Sequence, residues 1–233
     1  TTFFGQGRLP QRPITAYLRE LTKKGITFDY HNTMPFTIDG KLRSGVFELE
    51  GDVSSQYVTG LLFALPLLDG DSEIRMLSKL ESKPYVDLTI ACLRHFGIAV
   101  QETEQGYAVA GGQQYHACDL TVEGDYSQAA FFCVANALGS DITLTNLNPE
   151  SVQGDKKIVE IVREMCYNRE QGLPAGFTVD AADIPDLVPI LAVLATFGTA
   201  PSSITGAHRL AIKESDRLAS TADLLNRLGG KVT

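Results

Sequence analysis

The sequence predicts an α/β protein built from repeated strand–helix units, and three observations carry that reading. The first is an internal repeat: Phe47-Glu48-Leu49-Glu50-Gly51-Asp52-Val53-Ser54 returns as Leu120-Thr121-Val122-Glu123-Gly124-Asp125-Tyr126-Ser127, in a register that holds to Leu65 and Leu138. The second is the alternation of short β-rich runs with longer apolar runs along the chain, the pattern of α/β architecture. The third is that the runs 58–68 and 190–197 are apolar all round, so their helices are expected inside, with the sheets outside.

The elements follow in order. Proline at the first turn starts a helix over 13–24, and a strand covers 26–30. The first repeat gives a short strand to Glu50, Asp52 as the expected N-cap, a helix over 57–68 and a strand over 73–77. Pro84 opens a helix to Phe96, followed by strands 98–102 and 107–110. The second repeat gives a strand, an Asp125 cap, a helix over 129–138 and a strand over 141–145. A helix covers 155–167, and Phe177-Thr178-Val179-Asp180 with Pro185-Asp186 and the run 187–197 is a weaker third copy.

The last helix is expected to open at Lys213-Glu214-Ser215-Asp216-Arg217, with two cations and two carboxylates in one turn. At 3.6 residues per turn Lys213 and Arg217 lie about 40° apart. Leu218, Ala222 and Leu225 form its buried stripe, and Gly229-Gly230 ends it. A domain boundary is expected in 121–125, giving domains 1–122 and 123–233.

With 233 residues, 44% hydrophobic and 21% charged, the chain suits one large or two ordinary domains. No apolar run approaches the ~20 residues of a bilayer span, and the N-terminus lacks the order of a signal peptide, so a cytoplasmic protein is expected. Cys92, Cys118, Cys133 and Cys166 are widely spaced and are expected as reduced core thiols. The four histidines show no ligand spacing, so no metal is implied. A net charge of -8 and a pI near 5.0 disfavour nucleic acid and anionic membrane as partners. An anionic ligand must then be held by a local cluster.

Four clusters qualify. Arg12 precedes a proline-started helix, where a planar guanidinium suits a carboxylate or phosphate. Ser54, Ser55 and Gln56 open another helix, whose free N–H groups and dipole favour anions. Ser82, Lys83, Pro84 and Tyr85 open a third. Asp186, at a helix start, pairs with the Lys213-to-Arg217 turn as a carboxylate able to accept a proton. Each has a plain alternative: a surface arginine, ordinary N-caps, and a packed tyrosine.

Taken in order, Ser54-Ser55-Gln56, Ser82-Lys83-Pro84-Tyr85, Ile184-Pro185-Asp186 and Lys213-Glu214-Ser215-Asp216-Arg217 closely resemble the 5-enolpyruvylshikimate-3-phosphate (EPSP) synthase family, the glyphosate target of the shikimate pathway. The resemblance runs over essentially all 233 residues. It implies a two-domain inside-out α/β barrel of βαβαββ units, a substrate cleft between the domains, no cofactor, and a monomer when complete. The first domain would bind shikimate 3-phosphate, and the second would carry the Lys-Glu-Ser-Asp-Arg turn.

The resemblance also implies roles. Ser54, Ser55, Gln56 and Ser82 correspond to ligands of shikimate 3-phosphate, with Tyr85 beside them and Lys213 and Asp186 on the ring hydroxyls. Arg12, Gln56 and Arg217 correspond to the phosphoenolpyruvate ligands. The reaction would be addition then elimination, with Asp186 as base near the 5-hydroxyl and Glu214 as proton donor to C3 and later acceptor.

Two departures stand out. Arg209 occupies a position where many family members have Asn. The chain also lacks the family's N-terminal lysine-serine motif, its glycine-bearing loop and its C-terminal arginine and lysine, so it reads as the middle of an enzyme with little or no turnover alone. Three other readings stay open: a UDP-N-acetylglucosamine enolpyruvyl transferase, a non-catalytic binding or scaffold module of the same fold, and one section of a multifunctional polypeptide.

Overall fold

Phe47 and Leu49 are fully buried while their neighbours Val46 and Glu48 are not, the period-two signature of a half-buried strand. A computed structural model of the protein describes residues 1–213 and 215–233. The chain divides into two compact units, Thr1–Leu120 and Thr121–Thr233.

In the first unit β1 (Thr2–Phe3), β2 (Ile26–Asp29) and β3 (Phe36–Gly40) form an antiparallel sheet in the order β1-β3-β2, and α1 (Thr15–Lys23) precedes β2. A second sheet contains β4 (Val46–Leu49), β5 (Ser72–Met76), β6 (Gln101–Thr103) and β7 (Gly106–Val109) in the order β4-β5-β7-β6. β4 and β5 run parallel, from Val46↔Glu73 to Leu49↔Met76, because α2 (Ser55–Ala64) crosses between them. α3 (Lys83–His95) follows β5. Phe47, Leu49, Leu62, Leu65, Ile74 and Leu93 fill the core, each contributing roughly 1.5–3 kcal/mol by leaving water.

The second unit contains α4 (Tyr126–Ala137), α5 (Lys157–Glu170), β8 (Thr178–Asp180), α6 (Val188–Thr196), β9 (Ser203–Thr205) and α7 (Arg217–Arg227). β8 and β9 are parallel. Ile158, Leu187, Leu191, Leu194 and Leu210 centre its core.

Four expectations need correction. The segments 120–122 and 141–145 are not strands. The Asn136 side chain occupies both backbone groups of Ile142, accepting from its N–H and donating to its carbonyl at 2.8 Å each, where a ladder would need them. Asn226 brackets Val232 in the same way, again at 2.8 Å, so Asn-x-Leu-Gly-x-x-Ile/Val is a second repeat, unnoticed in the sequence. Asp52 does not cap α2. Ser54 does, its Oγ accepting from Gln56 N–H at 3.3 Å, while Asp52 accepts from Ser78 Oγ; Asp125, by contrast, does cap α4. All-round burial of the apolar helices fails at Phe63, Phe131 and Phe132, each about half exposed at 47–48%. Cys118 is exposed rather than a core thiol, and all four cysteines are free.

Candidate active site

Parallel pairing of β4 and β5 makes α2 and α3 begin at the same, carboxyl end of the sheet, where open α/β sheets bind ligands. The two helix starts are tied together. Gly51 N–H donates to Ser78 Oγ at 2.9 Å, and Glu81 N–H donates to Gly51 O at 3.0 Å. A Cβ at Gly51 would stand 2.6 Å from Lys79 O and 2.7 Å from Leu80 Cα, so this approach requires glycine. The helix starts that carry Ser54, Ser55 and Gln56 and Ser82 and Tyr85 therefore lie at one end of the sheet.

These residues differ in what they present. Ser54 serves as the cap, Ser55 is buried in the first turn, and Gln56 is exposed. Ser82 is 2% exposed and holds a left-handed backbone, φ 57 and ψ 35, a strain of about 1–3 kcal/mol for a non-glycine residue. Lys83 pairs with Asp87 at 2.7 Å and with Glu102 at 3.3 Å. Tyr85 is half-buried on the first turn of α3.

Arg12 joins the same end of the unit through its neighbour Pro13. The Tyr57 hydroxyl donates to Pro13 O, and the Tyr17 hydroxyl donates to Tyr57 O at 3.0 Å. Burial pushes both phenols up; in Tyr57 the positive charge of Arg12 pulls the other way, which marks Arg12 as near. The far half of α1 is held by Glu20, whose side chain is 1% exposed. Its carboxylate accepts from Arg19 and Lys23 at 2.8 Å and from Glu48 N–H at 3.1 Å. Burial alone would raise the Glu20 carboxyl, but these bonds together hold it below the ordinary carboxylate range.

In the second unit the segments after β8 and β9 carry the remaining candidates. Ala181 N–H donates to Thr205 O at 2.8 Å, extending the parallel pairing by one residue. Asp186 lies inside a 3-10 turn, Pro185–Leu187, rather than at an N-cap. Its Oδ1 accepts from Arg217 Nη1 at 2.8 Å. Arg209, 4% exposed, donates from Nη2 to Ala182 O at 2.8 Å.

The expected single helical turn from Lys213 to Arg217 does not form. His208–Ile212 is a 3-10 turn, Lys213 is extended, and Asp216 caps α7 by accepting from Ala219 N–H at 3.0 Å. A capping aspartate takes a non-helical backbone, so α7 starts at Arg217 and the 40° helical spacing does not apply to Lys213. Leu218 and Leu225 nonetheless face the core. Glu214 lies outside the described residues.

The first unit thus gathers Arg12, Ser54, Ser55, Gln56, Ser82 and Tyr85 at one end, and the second joins Asp186 to Arg217. The Tyr17–Tyr57 pair and the Glu20 cluster escaped sequence reasoning. Glu20 with Lys23 reads as an ordinary surface i,i+3 pair, and two tyrosines 40 residues apart give no signal of contact. Among the described residues no group of three or more His, Cys, Asp or Glu is placed to hold a metal ion, and no helix is long and apolar enough to cross a membrane.

Comparison with known proteins adds a family. The family model described as EPSP synthase (3-phosphoshikimate 1-carboxyvinyltransferase) matches residues 1–233. The chain is 42% identical to a 3-phosphoshikimate 1-carboxyvinyltransferase of Clostridium novyi and 43% identical to that of Clostridium kluyveri, over 99% of its own length. It spans 56% and 57% of those curated relatives. An EPSP synthase structure from Acinetobacter baumannii superposes with a TM-score of 0.70 at 22% identity, covering 97% of this chain and 56% of that one. The enolpyruvyl transferase NikO from Streptomyces tendae gives 0.54 at 16% identity, covering 79% and 49%. Both structures bear on the fold, which is mixed α/β.

Proposed function

The chain belongs to the EPSP synthase family, and from that premise we propose that the protein transfers the enolpyruvyl group of phosphoenolpyruvate to the 5-hydroxyl of shikimate 3-phosphate. The observation that carries the proposal is the family match over residues 1–233. It is supported by candidate ligands lying after the carboxyl ends of parallel strands in each unit.

Ser54, Ser55, Gln56, Ser82 and Tyr85 bind shikimate 3-phosphate in this reading, with Lys213 and Asp186 on its ring hydroxyls. Arg12, Gln56 and Arg217 bind phosphoenolpyruvate. The 5-hydroxyl oxygen bonds to C2 as its proton passes to Asp186, and C3 gains a proton from Glu214. The tetrahedral adduct then breaks its C2–O bond to phosphate, and Glu214 takes a proton back from C3. Arg217 holds Asp186 in place through the 2.8 Å bond from Nη1. A guanidinium has five N–H donors, so one side chain serves both Asp186 and phosphoenolpyruvate. Each arginine–anion contact contributes about 1.5–3 kcal/mol.

The complete fold in this reading is a monomeric, cytoplasmic inside-out α/β barrel, with residues 1–122 in the shikimate 3-phosphate domain and 123–233 in the second. The test is phosphate release by the full-length gene product given both substrates, with the enolpyruvyl ether identified by mass. No release overturns the proposal. UDP-N-acetylglucosamine in place of shikimate 3-phosphate is expected to give none. The 233-residue chain alone, spanning 56% of its relative's length, is expected to give little or none. Ser55→Ala and Lys213→Ala are each expected to weaken shikimate 3-phosphate binding, and unchanged binding in both favours a non-catalytic module.

A further inference from the structure

We propose that Tyr17 and Tyr57 form a latch that positions Arg12 for the anion of phosphoenolpyruvate. The proposal rests on the reading of Arg12 given above. The two hydroxyls tie α2 to α1 and to the turn just before it. Tyr57, on α2, donates to the carbonyl of Pro13, the residue after Arg12; Tyr17, on α1, donates to Tyr57 O at 3.0 Å. Their rings lie 4.8 Å apart, tilted at 59°. A carbonyl oxygen has two lone pairs, so Tyr57 O accepts the phenol without giving up its place in the first turn of α2.

Gly60 makes this approach possible. A Cβ there would stand 2.3 Å from Tyr17 Oη, and glycine inside a helix is otherwise a weakening choice. The second copy of the repeat has Ala130 and Cys133 where the first has Tyr57 and Gly60. The device therefore belongs to the copy whose helix start lies beside Arg12. At the other end of α1, Glu20 and Arg19 bind both backbone groups of Glu48, at 3.1 and 2.6 Å. With both ends of α1 held to the β4–α2 segment, the Arg12 backbone is fixed relative to Ser54, Ser55 and Gln56.

Tyr17 and Tyr57 are thus positioning residues, and the test must separate positioning from general stability. In the full-length gene product, Tyr57→Phe is expected to raise the KM for phosphoenolpyruvate about tenfold, the effect of one lost hydrogen bond, with the KM for shikimate 3-phosphate within about twofold. Gly60→Ala displaces the Tyr17 hydroxyl and should give the same split, while the better helix propensity of alanine offsets part of the stability lost with that bond. In an Arg12→Ala background neither change should raise that KM further. A wild-type protein that releases no phosphate overturns the proposed function and this inference with it. An active wild type with the phosphoenolpyruvate KM unmoved in both variants, or with both KM values raised equally, overturns the latch alone. Should Tyr57→Phe fail to fold, Gly60→Ala decides.

Discussion

Arg217 donates from Nη1 to Asp186 Oδ1 at 2.8 Å, joining the first residue of α7 to the turn that precedes α6. Both side chains are about one-third exposed, at 31% and 39%. Water screens such a pair, which stabilises the fold by only about 0–1 kcal/mol. Its geometry matters more for chemistry, since it fixes where the Asp186 carboxylate oxygen lies.

Asp186→Asn is therefore expected to leave the melting temperature nearly unchanged while lowering kcat by about 10²–10⁴-fold, the usual contribution of a positioned base. Phosphate release under saturating substrates, measured beside thermal unfolding of the same preparation, checks this. Near-normal kcat removes Asp186 from the role of base.

Ser82 combines a left-handed backbone with a buried side chain. Glycine meets that conformation without strain, whereas alanine keeps the strain and loses the hydroxyl. Ser82→Gly should thus be more stable than Ser82→Ala by about 1 kcal/mol. Both should bind shikimate 3-phosphate more weakly, by similar factors. Calorimetric titration and denaturant unfolding of the pair check both orderings, and equal stability would mean that strain at this position is not what separates them.

Much of this arrangement was legible in the chain, for identifiable reasons. The period-two burial of Phe47 and Leu49, the Asp125 cap and the apolar stripe of Leu218 and Leu225 are local, so each leaves a local pattern. Failures came where side chains took over backbone bonds. Asn136 occupies the N–H and carbonyl of Ile142, which leaves an apparent strand as an unpaired segment. Asp216 takes up Ala219 N–H, which moves the start of α7 to Arg217. The Tyr17–Tyr57 pair joins residues far apart in sequence, and periodicity carries no information about such contacts.

Glu20 should make stability depend on pH in one direction. Its folded carboxyl ionises below the ordinary value of 4.5, so its contribution is whole above that value and disappears as the pH falls through the lower folded one. Glu20→Gln should cost about 1–3 kcal/mol at neutral pH, since the buried carboxylate accepts charged donors. The gap between wild type and variant should narrow steadily as acid is added below pH 4.5. Unfolding by urea at several pH values measures that gap, and a constant gap would falsify the assignment.

Arg209 poses the sharpest choice, between a contact with substrate and a role in holding the backbone. Its guanidinium is buried and bonds Ala182 O at 2.8 Å, while Ala182 N–H bonds Asp180 Oδ1 at 2.9 Å from the other side. The segment leading to Asp186 is thereby pinned through both backbone groups of Ala182. Lysine keeps a cation but loses the planar fork, and its more strongly hydrated head disfavours burial. Arg209→Lys should cost about 1–3 kcal/mol of stability and lower kcat by shifting Asp186, leaving the KM for shikimate 3-phosphate nearly unchanged. Arg209→Met, with no donor for Ala182 O, should lower both further. A residue that instead touched the ring would show the opposite split, a raised KM at unaltered stability, and that pattern in Arg209→Lys would return Arg209 to the substrate.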